Sequence, residues 1–318
     1  MKGLGLILFP VIFGVSLLVG GGVVLGIGIA KSHEHSQIVT RTHELEESFN
    51  NIKVDIETAN LDFIATTDGT AKVVCEEKEN VEHKVSISDG VLTIQYEEHM
   101  KWYERMFNFN WKTEKVKVYM PTTINGDVNI ELSTGAVKVP DDFKFENLNV
   151  KCSTGLVNVE ASVNERLTIY SSTGDVTIKD LSAKNIEARA STGDFLLENV
   201  EVEEKILLNA STGHLVLKNV TANDFESKTS TGYVRFENTV IDNHMQVKAS
   251  TGDIKFVDSD AKTMNIKTDT GYIKGVLLTE HVFYAKSDTG KISVPHTTTG
   301  GIAELETDTG DIIITIKE

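Results

Sequence analysis

The sequence predicts an all-β chain. It reads as a right-handed parallel β-solenoid of about ten 19–20-residue coils, with an irregular N-terminal β cap and one transmembrane helix ahead of it. Three observations predict this. Thr-Gly recurs with its glycine at Gly135, Gly155, Gly174, Gly193, Gly213, Gly232, Gly252, Gly271, Gly290 and Gly310, in steps of 19 or 20 residues. So regular a period marks a stacked repeat. The residues between these glycines alternate apolar and polar with period two, as strands with one buried face do. Finally, Gly3 to Ala30 carries no charge and is rich in Leu, Val, Ile and Gly, long enough to cross a bilayer as a helix.

In chain order, residues 1–31 are expected to be the anchor. The uncharged run exceeds the ~7–15 apolar residues of a signal peptide's central region, although Gly28-Ile29-Ala30 offers small residues at a cleavage spacing. Residues 32–49 are polar and read as a tether; His33, His35 and His43 lie in it without the fixed geometry a metal site needs. Residues 50–124 form the cap. Ile52, Val54 and Ile56 alternate with polar residues, as do Leu61, Phe63 and Ala65, and Ser88-Asp89-Gly90 marks a turn. Residues 99–112 interrupt the cap with Trp102, Tyr103, Phe107, Phe109 and Trp111, which read as a lid over the end of the core or as an aromatic contact surface.

The solenoid is expected over residues 125–318. Two residues after each glycine stands an apolar side chain, from Val137 to Ile312, and four after it nine of ten are apolar, with Gly275 the exception. Before glycine the inward positions are seven and five residues back, so each coil is expected to hold two strands. The inward parity switches across Thr-Gly, which a continuous strand cannot do, so the chain bends there. A second bend falls six residues on, at Asp141, Asp180, Asn199, Asn219, Asn238 and Asp258. Ten coils at ~4.8 Å make a rod about 45–50 Å long, and parallel crossovers favour right-handed winding. The last coil, ending at Glu318, is expected to close the rod without a cap and to leave a free edge.

In-register coils stack equivalent residues into columns. The serines and threonines before each glycine are expected to close the corner through local hydrogen bonds. Asp175, Asp194, Asp253 and Asp311 share a column with Ala136, Leu156, His214, Tyr233 and Tyr272, too irregular for a calcium ladder. Cys152 falls at a small inward position and reads as core filler; with Cys75 it makes too few cysteines for a disulfide framework or a zinc cluster. One column is basic: Lys151, Arg189, Lys228, Lys248, Lys267 and Lys286 stand four residues before glycine, with Tyr170, Asn209 and Glu306 in the same file. It is suited to a repeating anionic polymer, such as a phosphate-rich wall glycan, or to pairing with nearby glutamates.

The charge balance, 31 basic against 47 acidic residues and net −16, argues against a nucleic-acid binder. No Gly-rich phosphate loop occurs, and His214, His244, His281 and His296 are scattered. Monotonous columns argue for structure over catalysis. No catalytic residue, metal or cofactor is expected.

A membrane-spanning N-terminus, the run Val-Lys-Val-Tyr-Met-Pro at 116–121 and serial Ser-Thr-Gly-Asp-Val/Ile-x-Ile/Phe coils resemble the bacterial "putative adhesin" β-strand-repeat family. That family includes LiaG-type proteins of the Gram-positive cell envelope. Over residues 50–318 the resemblance implies a surface-exposed parallel β-solenoid without known catalytic residues, and it carries no site residues over. The expected protein is anchored by a single span in a bacterial cell membrane with its β domain extracytoplasmic. There it binds an envelope polymer or a membrane protein in adhesion or envelope stress, and no nucleic acid. A glycan-active β-helix enzyme is the alternative, and a purely structural spacer a third reading.

Overall fold

The computed structural model describes residues 38–78, 81–98 and 113–318. The expected span and the aromatic residues Trp102, Tyr103 and Trp111 lie outside them. Among the described residues no helix is long and apolar enough to cross a membrane.

The N-terminal β region holds β1 (Ile38–Glu44), β2 (Asn51–Thr58), β3 (Asn60–Thr66), β4 (Lys72–Lys78), β5 (Val81–Ser88), β6 (Val91–Glu98) and β7 (Lys115–Pro121). The repeats begin with β8 (Asp127–Thr134), β9 (Val137–Val139), β10 (Lys144–Thr154), β11 (Val157–Val159), β12 (Ser162–Thr173), β13 (Val176–Thr192), β14 (Phe195–Thr212) and β15 (Leu215–Thr231). They continue with β16 (Val234–Glu237), β17 (Val240–Thr251), β18 (Ile254–Thr270), β19 (Ile273–Leu277), β20 (His281–Thr289), β21 (Ile292–Ser293), β22 (Gly301–Thr309) and β23 (Ile312–Ile316). Pairing between coils is parallel and in register, with Val176 opposite Phe195 and Thr192 opposite Thr212. The result is an all-β parallel solenoid of about nine turns with an N-terminal β region.

One coil shows why the chain closes. Val176, Ile178, Leu181, Ala183, Ile186, Ala188 and Ala190 are buried, and Phe195 starts the next turn. Their spacing is two except at three places, and each of those is a bend. At the first, Asp180 takes a φ of 53°, in the left-handed region that Asn and Asp tolerate best. The second is a bulge between Ala183 and Asn185. The third is the Thr-Gly corner. The 20-residue coil between Gly193 and Gly213 places its extra residue at the bulge, so Ile206 follows Val202 by four positions instead of three. The expected two strands per coil are therefore three segments, the short Leu181–Ala183 side having been read as part of a turn. Asn199, Asn219, Asn238 and Asp258 share the left-handed φ, but Asp141 does not. Its coil turns instead through Pro140, whose carbonyl accepts from Phe143 N–H at 3.4 Å.

At the corner, the glycine N–H donates to the threonine carbonyl of the adjacent coil, as from Gly155 to Thr173 at 2.9 Å, at every corner glycine but Gly290 of the edge coil. The glycine φ values run from 135° to 159°. The expected hydroxyl closure is not what holds the bend. Among the described residues, the serines and threonines just before the glycines make no side-chain hydrogen bond and stay exposed. The side chain one residue after glycine does this work: Asp175 accepts from Asp194 N–H at 2.9 Å, Asp194 from His214 N–H at 2.7 Å and His214 Nδ1 from Tyr233 N–H at 3.1 Å. Asp253 and Asp311 repeat it. This column caps backbone N–H groups, which explains why Asp and His interchange within it.

Both ends depart from chain order. The region expected to be an irregular cap contains two coil-like layers. β2 and β3 pair in parallel with β8 and β9, with Ala59 where a corner glycine would stand, and β6 and β7 pair in parallel on their far side. β5 and β4 then close the stack antiparallel to β6 and β7. β1 pairs antiparallel with β4, so residues 38–44, expected in the tether, are a strand.

At the other end β22 lies between β18 and β20, and β23 between β19 and β21. The last coil in sequence is thus internal, and β20 is the outer edge, contrary to the expected uncapped terminus. Two features let β22 in. Asp260 holds the departing turn by accepting from Thr279 N–H at 2.6 Å and bonding His281 Nε2 at 2.7 Å. Gly301 passes so close to the Lys262 carbonyl that an added Cβ would lie 1.6 Å from it.

Candidate functional site

Along the middle of the rod, the side chains three residues before glycine are small and buried: Cys152, Ser171, Ala190 and Ala210. Small residues there leave the surface concave along the rod. The columns on either side rise around it and form a groove of about 820 Å³, running from Asp55 and Glu131 to Lys228 and Ser230. Its two walls are the basic file and the serine column.

Within the groove, Lys151, Arg189 and Lys228 recur every second coil, roughly 10 Å apart at the strand spacing of stacked coils. Tyr170 and Asn209 stand between them. The opposite wall presents Ser153, Ser172, Ser191, Ser211 and Ser230, whose hydroxyls have no hydrogen-bond partner among the described residues. Lys248 and Lys267 continue the file in register beyond Lys228.

The cations differ in their partners. Lys151 pairs with Glu131 at 3.1 Å and Arg189 with Glu187 at 3.0 Å, and Tyr170 OH donates to the same Glu187 at 3.1 Å. The inserted β22 brings Glu306 between Lys267 and Lys286, at 3.5 and 3.6 Å. Lys286 also reaches Asp288 at 3.3 Å. Among the described residues, Lys228 and Lys248 have no carboxylate within ion-pair distance. Of the six expected binding cations, then, three line the groove and two carry uncompensated charge.

Cys152 is buried, its Sγ 3.7 Å from the Gly135 carbonyl, and burial raises its thiol pKa, in keeping with a core filler. Thr268 and Thr307 occupy the same inward position and donate to the Gly252 and Gly271 carbonyls at 3.0 Å.

A second concentration of polar groups lies inside the N-terminal region. Cys75 and Glu77 project from one face of β4 and meet His83 of β5, with all three fully buried. His83 Nδ1 lies 2.5 Å from Glu77 Oε2, and Arg41 bonds the other carboxylate oxygen. Burial alone would raise the Glu77 carboxyl, but hydrogen bonds from His83 and Arg41 outweigh it and hold it below the usual range. Burial pushes the Cys75 thiol up to about 12. Burial also raises Glu114, whose nearest cation is Lys78 at 3.4 Å. Sequence reading treated Cys75 in isolation. The signal was its period-two spacing from Glu77, with His83 at the start of the next strand.

Several crystal structures are similar to this chain. One described as a "putative adhesin" from Parabacteroides distasonis shares 13% identity at a TM-score of 0.49, covering 85% of this chain and 98% of that one. Another, a "putative adhesin" from Bacteroides fragilis, shares 15% at 0.44, covering 88% and 97%. A "putative lipid binding protein" from Parabacteroides distasonis shares 15% at 0.47, covering 87% and 96%. No curated protein matches the chain. The family described as Toastrack DUF4097 matches residues 49–219 and 203–318. These spans take in every coil and the N-terminal layers stacked on them, so the protein belongs to the Toastrack DUF4097 family.

Proposed function

We propose that the protein is a single-pass membrane protein that displays a non-catalytic, right-handed β-solenoid outside a bacterial cell, where its groove binds a linear anionic polymer of the envelope. One observation carries this reading: a groove along the rod in which Lys151, Arg189 and Lys228 recur at every second coil opposite a rank of free serine hydroxyls. A polymer with a charge in each unit engages such a file many times, so weak contacts add through multivalency. A protein of net −16 repels anionic polymers in general, which confines binding to the groove. Serine hydroxyls donate to phosphate or sugar oxygens, and Lys228 and Lys248 are free to pair without first breaking an internal ion pair. The uncharged N-terminal run and the family resemblance support the anchored, external placement.

Titration of the full chain with a poly(glycerol phosphate) polymer and with a neutral glucan tests this. The phosphate polymer is expected to bind with strong salt dependence and the neutral one not to bind. The triple variant Arg189→Glu, Lys228→Glu, Lys248→Glu is expected to lose at least about tenfold in affinity, from exposed pairs worth ~0.2–1 kcal/mol each and the new repulsions. Equal binding of both polymers, or indifference to charge reversal, overturns the reading. Polymer turnover abolished by a single carboxylate substitution would move the protein to the glycan-active class.

A further inference from the structure

We propose that Cys75, Glu77 and His83 form a binding site for a divalent transition metal, of which zinc is the best match. The donor set comes first. A thiolate, an imidazole and a carboxylate are the ligand types zinc takes, whereas calcium and magnesium require oxygen alone. Placement comes next. The three ligand atoms lie within 4.8 Å of one another, and all three side chains are fully buried. Tetrahedral zinc holds its donors roughly 3.3–3.8 Å apart, given bonds of ~2.0–2.3 Å. The existing 2.5 Å contact between His83 and Glu77 would open by about 1 Å as the ion replaces the hydrogen bond.

The surroundings contain more polar groups than the cluster satisfies by itself. His83 Nε2 and Glu114 Oε2 are buried and have no hydrogen-bond partner. A buried orphan of this kind is destabilising and calls for a reason. Glu114 is the neighbour of Glu77 across the β4–β7 pair, in the register that sets Cys75 opposite Val116, and it interacts electrostatically with Cys75, Glu77 and His83. It stands outside the group of ligand atoms that lie within 4.8 Å of one another, and acts on the site through its charge rather than as a donor. Arg41, bonded to Glu77 and to the Val81 carbonyl at 3.0 Å, orients Glu77 from outside in the manner of groups that support metal ligands. Arg41 and Lys78 oppose a cation. The Cys75 thiolate, Glu77 and Glu114 together offset them. Binding releases the thiol proton of Cys75 to solvent and involves no change of oxidation state.

The test uses the full chain, stripped of metal by a chelator and titrated with Co2+. A thiolate-to-cobalt charge-transfer band is expected with the visible bands of a tetrahedral site, and stoichiometric Zn2+ is expected to abolish both. Cys75→Ser should remove the charge-transfer band and His83→Gln should weaken binding at least tenfold, while Cys152→Ser retains the full signal. Zn2+ should also raise the melting temperature of the wild type and of C152S and leave C75S unmoved. No charge-transfer band in the wild type, or a band that persists in C75S, overturns the proposal. Should C75S fail to fold, the wild-type and C152S titrations still decide it.

Discussion

Substituting Gly213 by alanine tests the stacking argument at a corner in the middle of the rod. A Cβ there would lie 1.9 Å from the Gly193 carbonyl oxygen and 2.6 Å from its carbon. Ordinary contact begins at 3.4 Å, so the coils would have to separate by about 1.5 Å where strands normally sit ~4.8 Å apart. The φ of 148° adds a conformation that L-residues rarely adopt, worth about 1–3 kcal/mol. Overpacking against rigid backbone adds about 1–3 kcal/mol more. The total is about 2–6 kcal/mol, concentrated at one interface of a linear stack whose stability is built from neighbour terms. Gly69→Ala is the control: its φ is 76°, but nothing lies within 4 Å of the added Cβ, so only the conformational part, about 1 kcal/mol, remains. Urea unfolding followed by circular dichroism should place G213A well below G69A, and amide exchange should show the loss centred on the coils of Gly193 and Gly213. Equal destabilisation by the two variants would refute the reasoning, because both carry a positive φ but only Gly213 has a neighbouring coil against its Cβ.

Three further outcomes follow from single contacts. Asp194→Ala removes the acceptor of the His214 N–H; it should cost about 1 kcal/mol and speed exchange of that amide beyond its neighbours. Asn199→Ala loses both tolerance of a φ of 56° and the 2.7 Å bond to Asp180, about 1–2 kcal/mol together, whereas Asn199→Gly keeps the φ and should cost less in the same melt. Burial would raise the Asp260 carboxyl, but bonds from His281 and Thr279 prevail and hold it below its ordinary value. A depressed folded-state pKa stabilises above the unfolded value and fades as pH falls through the folded one. The melting-temperature gap between wild type and Asp260→Asn should therefore stay open near neutrality and close below roughly pH 4.

The repeat was legible because it is written ten times. A column such as Val176, Phe195 and Leu215 averages out single-residue accidents, and the parity switch at Thr-Gly located the corner without coordinates. The third side of each coil was not legible in the same way. Leu181 and Ala183 are only two inward residues between two bends, too few to separate a strand from a turn by periodicity. In the N-terminal layers, Ala59 takes the place of the glycine that would have announced a coil. The basic file was read correctly as a column, but its depth depends on the small side chains beside it, and only packing reveals which cations have carboxylate partners. The Cys75, Glu77 and His83 cluster depends on β5 packing against β4, a tertiary fact that spacing suggests and does not determine.

The order of coils at the C-terminal end links the rod's termination to its charge. In sequence the file reads Lys228, Lys248, Lys267, Lys286, Glu306, which would leave four lysines stacked in succession and an acid at the tip. The insertion of β22 changes this. Glu306 comes to lie between Lys267 and Lys286 and pairs with both, so positive charge is neutralised near the end and persists at Lys228 and Lys248 in the body of the rod. The same insertion gives the last strand, β23, a neighbour on each side. Fraying from the C-terminus must then break two ladders at once, where a solenoid ending on its last coil would peel from one. Gly300-Gly301 makes this threading sterically feasible, since added side chains would strike the Glu280 and Lys262 carbonyls. One local feature, a glycine pair where the period gives no sign of a break, therefore decides both how the rod resists unwinding and where along the groove an anion finds unpaired charge.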